Sequence, residues 1–234
     1  MLSPNFIEPA LTWGIGLILL LAALLLVQPV WRRRAARRRI EKRIGWMGAQ
    51  QLRNVLIDDG MEGKVFVERL LLTTDGTRVL VQNWRNGNIF GGDNIDVWAQ
   101  VVGTRTRRFP NPLYAVSDVV ASLRSHVPGV VVTGAVLFAG GCDFPKGKPE
   151  NVLTLDDLPS AAPDSDDEVL VSATAAAAWA KLSAMAEPVT NPALLGDEGE
   201  RHGGGRVGAA AASLVAALAW VAWRLWALRA APHL

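Results

Sequence analysis

Two long apolar runs frame the chain. Leu11–Val30, LTWGIGLILLLAALLLVQPV, carries no charge and is long enough to cross a bilayer. An inserted segment has to satisfy its own backbone polar groups, so it would be helical. Val207–Leu228, VGAAAASLVAALAWVAWRLWAL, is richer in alanine and carries Arg224 near its end, where the side chain could snorkel to an interface. Trp220, Trp223 and Trp226 lie where an aromatic belt would sit, as do Trp13 and Trp31 around the first run. The pattern predicts two transmembrane helices, with an interfacial amphipathic helix as the alternative for the second.

Between them the pattern changes to short elements. Ile40, Ile44, Met47, Leu52, Val55 and Leu56 recur at helical spacing and predict a helix over 39–58. KVFVERLLL (64–72) and TRVLVQNW (77–84), separated by Thr73-Thr74-Asp75-Gly76, predict a hairpin. A short strand is expected at 97–102 and a helix over 113–126 with Val116, Val119, Val120 and Leu123 inward. VVVTGAVLFA (130–139) is almost wholly apolar, as a strand buried on both faces is. An edge strand at 151–155, a helix from the acidic start at 164–168 to 186, and a proline- and glycine-containing linker over 187–206 complete an α/β plan without internal repeats.

Charge is distributed unevenly. WRRRAARRRIEKR (31–43) holds eight basic residues and one acid, which leaves sixteen basic and twenty-one acidic residues elsewhere. Arg32, Arg33, Arg34, Arg37, Arg38 and Arg39 therefore form a basic collar on a mildly acidic body. Arginines directly after a membrane helix set its topology and attract anionic head groups, a reading preferred here to phosphate binding. No Lys or Arg precedes the first run and the arginines follow it, the reverse of a cleaved signal peptide. The expected layout is an external tail (1–10), a span (11–30), the collar (31–43), a cytoplasmic domain (44–186), a linker (187–206) and a second span (207–228), with both termini outside an inner membrane. A single cysteine, Cys142, excludes an internal disulfide framework, and three scattered histidines argue against a structural zinc cluster.

Gly45 and Gly48, then Gly87-Asn88-Ile89-Phe90-Gly91, Trp98-Ala99-Gln100, Asn111-Pro112-Leu113 and the buried apolar strand follow one another at spacings that resemble the NERD (nuclease-related) domain, over about Arg43–Leu158. The resemblance implies a restriction-endonuclease-like mixed sheet flanked by helices, here placed between the two membrane helices. It also implies a divalent-cation site built from a carboxylate on one strand and an E-x-K pair on the next. Hard Mg²⁺ wants carboxylate oxygens, polarises phosphate and activates water. This chain departs from that pattern. Glu68 stands where an aspartate is expected, Val81 and Asn83 replace the glutamate and lysine, Ala49 a helix glutamate, and Ala115 a glutamine. No lysine lies between Lys64 and Lys146, so shifting the alignment restores nothing.

The expectation is a membrane-anchored nuclease-related domain that binds without cutting and needs no cofactor, with DNA as one candidate partner besides lipid. Arg105, Arg107 and Arg108 are the best local candidates for a phosphate contact, with a solvated loop as the default reading of that segment. A second hypothesis is an active Mg²⁺-dependent nuclease whose site is rebuilt from Glu68 with Asp93 or Asp96; turn formation is the simpler role for those aspartates. A third is an assembly protein that contacts other membrane proteins. Cys142 reads as a small buried hydrophobe, His126 as a helix end, and Gly91-Gly92 and Gly140-Gly141 lack the helix start that a phosphate loop requires.

Overall fold

A computed structural model describes residues 25, 28–61, 63–162 and 170–189. Two compact units share the chain, one formed by Arg39–Gly196 and the other by Met1–Arg38 with Asp197–Leu234. Of the second unit, only residue 25 and the helical residues 28–38 are described.

Among the described residues no helix is long and apolar enough to cross a membrane. This overturns the expected fold of a domain between two transmembrane helices, and with it the two-pass inner-membrane placement. Of the predicted spans, 207–228 and most of 11–30 lie outside the described residues, as do the tail at 1–10 and the acidic stretch at 164–168.

The unit over 39–196 is a mixed α/β body with two sheets. Its first element, α1, is the end of a helix described over 28–45. Strands β1 (Gln50–Asp58), β2 (Lys64–Leu72) and β3 (Gly76–Asn83) form an antiparallel meander. β4 (Gly87–Phe90), β5 (Val97–Val102) and β6 (Arg105–Pro110) leave for a second sheet. The chain returns through helix α2 (Pro112–His126) to β7 (Val131–Phe138), which runs parallel to β3. β8 (Cys142–Asp143), β9 (Val152–Thr154), helix α3 (Ala173–Met185) and β10 (Glu187–Pro188) follow. The larger sheet has the order β10-β1-β2-β3-β7-β9 and the smaller one β6-β5-β4-β8.

Two cores lie on opposite faces of the larger sheet. Ile40 and Ile44 of α1 pack with Leu71, Leu80, Ala135, Leu137 and Leu158. The other face meets α2, α3 and the inner side of the second sheet through Val67, Leu70, Val79, Val136, Phe138, Trp98, Phe109 and Trp179. β7 supplies alternate residues to both cores, which is why its sequence is apolar throughout.

The helix predicted over 39–58 stops at residue 45, and 50–58 is β1. Leu52, Val55 and Leu56 fit a helical period, but Val55 and Ile57 alternate into the α2–α3 core as strand residues do. The β propensity of that segment was outweighed in the pattern by the apolar residues before it. β6 was expected as a loop, and its polar sequence RTRRFP is that of an edge strand. α3 begins at Ser172, whose hydroxyl accepts from Ala175 N–H, well after the acidic stretch. Glu187–Pro188, expected as linker, pairs with β1.

Candidate functional site

The resemblance motifs turn out to build the framework around the second sheet. Gly87 has φ +80°, and a Cβ there would meet the Val101 carbonyl oxygen at 2.5 Å. Ile89 is buried, and Gly91 lies under the Trp98 indole, 2.1 Å from where its Cβ would be. Trp98 Nε1 donates to the Gly92 carbonyl at 3.1 Å. Asn111 caps α2 by accepting from Leu113 N–H, while its amide nitrogen donates to the carbonyls of Gly92 and Asp93. Pro112 follows at the first helical turn, where no N–H is needed.

Glu68 lies where β2 and β3 separate. Their pairing covers Leu70–Leu72 against Thr77–Val79, whereas β3 stays paired with β7 as far as Asn83. Beyond that ladder the Glu68 carboxylate replaces a strand partner, accepting from Gln82 N–H at 3.0 Å. Across β1, the register sets Glu68 opposite Asn54, which has φ +49° in the left-handed region. At this point both strands exchange the face they bury: Leu52, Leu70 and Leu72 reach the same core as Val55, Val65 and Val67 despite opposite parity. A left-handed residue interrupts the alternation of an extended chain and allows this.

The neighbouring face carries a polar cluster that the sequence did not reveal. Glu41 of α1 accepts from Arg69 Nη2 at 2.6 Å and from Gln82 Nε2 at 3.0 Å, and pairs with Arg53 at 2.8 Å. Arg69 is buried, donates to Gln51 Oε1 at 2.7 Å, and its Nε finds no partner among the described residues. Burial pushes the Glu41 carboxyl up, but the hydrogen bonds from Arg69 and Gln82 and the charges of Arg69 and Arg53 outweigh it, and the net shift is down. For Glu68, burial dominates over the Gln82 N–H bond and the Arg69 charge; the nearby Glu41 adds to it, and the net shift is up. Arg43, counted above within the basic collar, donates to the carbonyls of Leu155, Leu158 and Pro159 and ties α1 to the chain after β9.

These donors do not fit a Mg²⁺ ion. Glu41 is neutralised by two guanidinium groups, Val81 packs against the core, and the Asn83 side chain accepts from Arg85 N–H. Ala49 follows the end of α1 and donates its N–H to the Leu72 carbonyl, so it does not stand in the helix as expected. Ala115 is exposed in the first turns of α2. Asp93 and Asp96 lie in the β4–β5 turn held by Asn111, with Asp96 Oδ1 accepting from Tyr114 Oη at 2.8 Å. Among the described residues, no three of His, Cys, Asp and Glu gather as a metal site. Of the alternative that pairs Glu68 with Asp93 or Asp96, Glu68 is held by Gln82 N–H beside β3, while both aspartates belong to the turn that Asn111 ties down.

The arginine cluster is redistributed as well. Alternate residues of a strand face one side, so Arg105 and Arg107 share a face with Phe109, and Arg108 projects to the other. All three are exposed and form no ion pair among the described residues. Arg85, which follows β3, joins the Arg107 side. Its guanidinium lies 4.0 Å from the Phe109 ring centroid and donates to Gln100 Oε1, and Gln100 is the register partner of Arg107. The signal in the sequence was Gln100, a polar residue alternating with buried Trp98.

Compared with protein families, curated proteins and solved structures, the chain matches none.

Proposed function

We propose that the unit over 39–196 is a nuclease-related domain that binds nucleic acid and does not cut it. The observation that carries this reading is the environment of Glu68. The one strand carboxylate at the β2–β3 divergence is bonded to a backbone N–H, with an aliphatic side chain and a committed amide where an acid and an amine would be required. Hydrolysis of a phosphodiester needs a group to activate water and another to stabilise charge, and neither is provided there. The order α1, three-strand meander, α2 and a parallel strand beside β3 supports the kinship. Binding is supported by arginines on the face of β6 that also bears Phe109.

The test is a pair of measurements on the full-length protein. Incubation with supercoiled plasmid and Mg²⁺ or Mn²⁺ should give no nicking, and labelled oligonucleotides should be retained at low salt and released as salt rises. Metal-dependent nicking that disappears in Glu68→Ala would overturn the reading in favour of the enzyme.

A further inference from the structure

We infer that the open edge of β6 takes an extended acidic peptide as an added antiparallel strand. A sheet edge presents unpaired N–H and C=O groups, and proteins protect such edges by keeping them short or charged. Four strands end the two sheets: β10 and β9 the larger, β6 and β8 the smaller. β8 and β10 have two residues each and β9 three, whereas β6 has six. Among the described residues, β6 is therefore the edge long enough to template another strand.

The direction of one carbonyl decides which of its groups are open. Val101 C=O points at β4, since a Cβ on Gly87 would meet its oxygen at 2.5 Å. Backbone groups alternate in direction along a strand, so Trp98, Gln100 and Val102 turn theirs to β6 and to their register partners Phe109, Arg107 and Arg105. The two-residue turn Gly103-Thr104 closes the hairpin in the same phase. Thr106 and Arg108 consequently direct N–H and C=O away from the sheet, where no strand neighbours β6 among the described residues. The side chains of Arg105, Arg107 and Arg108 are exposed and hold no hydrogen bond or ion pair among the described residues.

Charge and backbone chemistry choose the occupant. A second copy of β6 would bring three arginines against three more, which is destabilising. A phosphate backbone supplies acceptors only, so it would leave the outward carbonyls of Thr106 and Arg108 facing anions. Another peptide strand answers both groups. Bonded to Thr106 and Arg108, it sets its own residues opposite Arg105 and Arg107 in non-hydrogen-bonded pairs, where side chains approach most closely. Acids at those alternate positions form one row against the two guanidinium groups. This is strand addition, in which main-chain bonds give affinity and alternate side chains give selectivity. A peptide bound there occupies guanidinium groups that the nucleic-acid proposal also uses, so either ligand would displace the other.

The experiment titrates full-length protein into a fluorescein-labelled peptide of about eight residues, acids alternating with Thr and Val, followed by anisotropy at low salt. The acidic peptide should bind more tightly than its counterpart with lysines in place of the acids. N-methylation of the uncharged residues, whose N–H groups face β6, should weaken binding roughly tenfold or more, while N-methylation of the acidic residues should leave it nearly unchanged. Thr106→Pro removes an outward N–H and should weaken the peptide roughly tenfold with little change in urea midpoint, because an edge strand accepts proline where its N–H faces solvent. Arg105→Glu with Arg107→Glu should exchange the preference to the lysine peptide, which shows the edge to be folded. Equal effects of the two methylation patterns, equal affinity of the unmodified protein for both charges, or no retention of the acidic peptide would overturn the inference. Peptide retention without oligonucleotide retention would overturn the nucleic-acid proposal alone.

Discussion

Removing the Glu41 carboxylate should destabilise the domain strongly, because Arg69 cannot follow it out of the core. The Arg69 side chain is 6% exposed and Glu41 29% exposed, and the bond between them is 2.6 Å. In Glu41→Ala the guanidinium keeps, among the described residues, Gln51 alone as acceptor. Breaking a buried pair from one side costs roughly 3–5 kcal/mol, and the partial exposure of Glu41 places this case near 3. The lost Gln82 contact adds about 1 kcal/mol. The Arg53 pair, 45% exposed on the arginine side, adds little. The expected total is about 4 kcal/mol, measured by urea unfolding of the full-length protein through the buried Trp98 and Trp179. Arg69→Met should cost much less, since Glu41 retains Arg53 and solvent. The double variant should then recover about 2 kcal/mol relative to Glu41→Ala. The Glu41 pKa is lowered on folding, so its contribution is present above the unfolded value and lost as pH falls through the folded one; the deficit of Glu41→Ala should shrink in acid. A loss below about 1 kcal/mol, or strictly additive single variants, would refute the buried-pair account.

Glu68 should behave in the opposite sense. Its pKa is raised, so its contribution is complete below the unfolded value and lost as pH rises through the folded one. Glu68→Gln keeps an acceptor for Gln82 N–H and should stabilise at pH 7 by about 1 kcal/mol, with the gain vanishing near pH 4; destabilisation at pH 7 would contradict this. Gly134→Ala places a Cβ 2.3 Å from Val116 Cγ1 and 2.7 Å from Val120 Cγ2, so α2 must lift from β7; a loss of roughly 1–3 kcal/mol in urea unfolding is expected. Burial, with Asp143 adding to it, pushes the Cys142 thiol up to about 11. Its reaction with Ellman's reagent at pH 8 should run about a hundredfold slower in folded than in urea-unfolded protein, and equal rates would show the thiol to be accessible.

The sequence by itself determined the elements whose pattern has one physical reading. The hairpin of β2 and β3, the α2 stripe of Val116, Val119, Val120 and Leu123, and the wholly apolar β7 are each legible because burial on one face or two imposes its own period. Tertiary structure alone decided the rest. A helical spacing of apolar residues concealed β1, since the local period cannot express a partner strand, and the face exchange falls at Asn54, the left-handed residue where the β1–β2 ladder is interrupted. Arg85 reaches the second sheet only through its contacts with Gln100 and Phe109, which the sequence keeps far from it. Glu41 gave no signal within a run of arginines; it became the half-buried partner of Arg69 once α1 lay across β2 and β3. A period records which face of an element is buried, but not which element buries it.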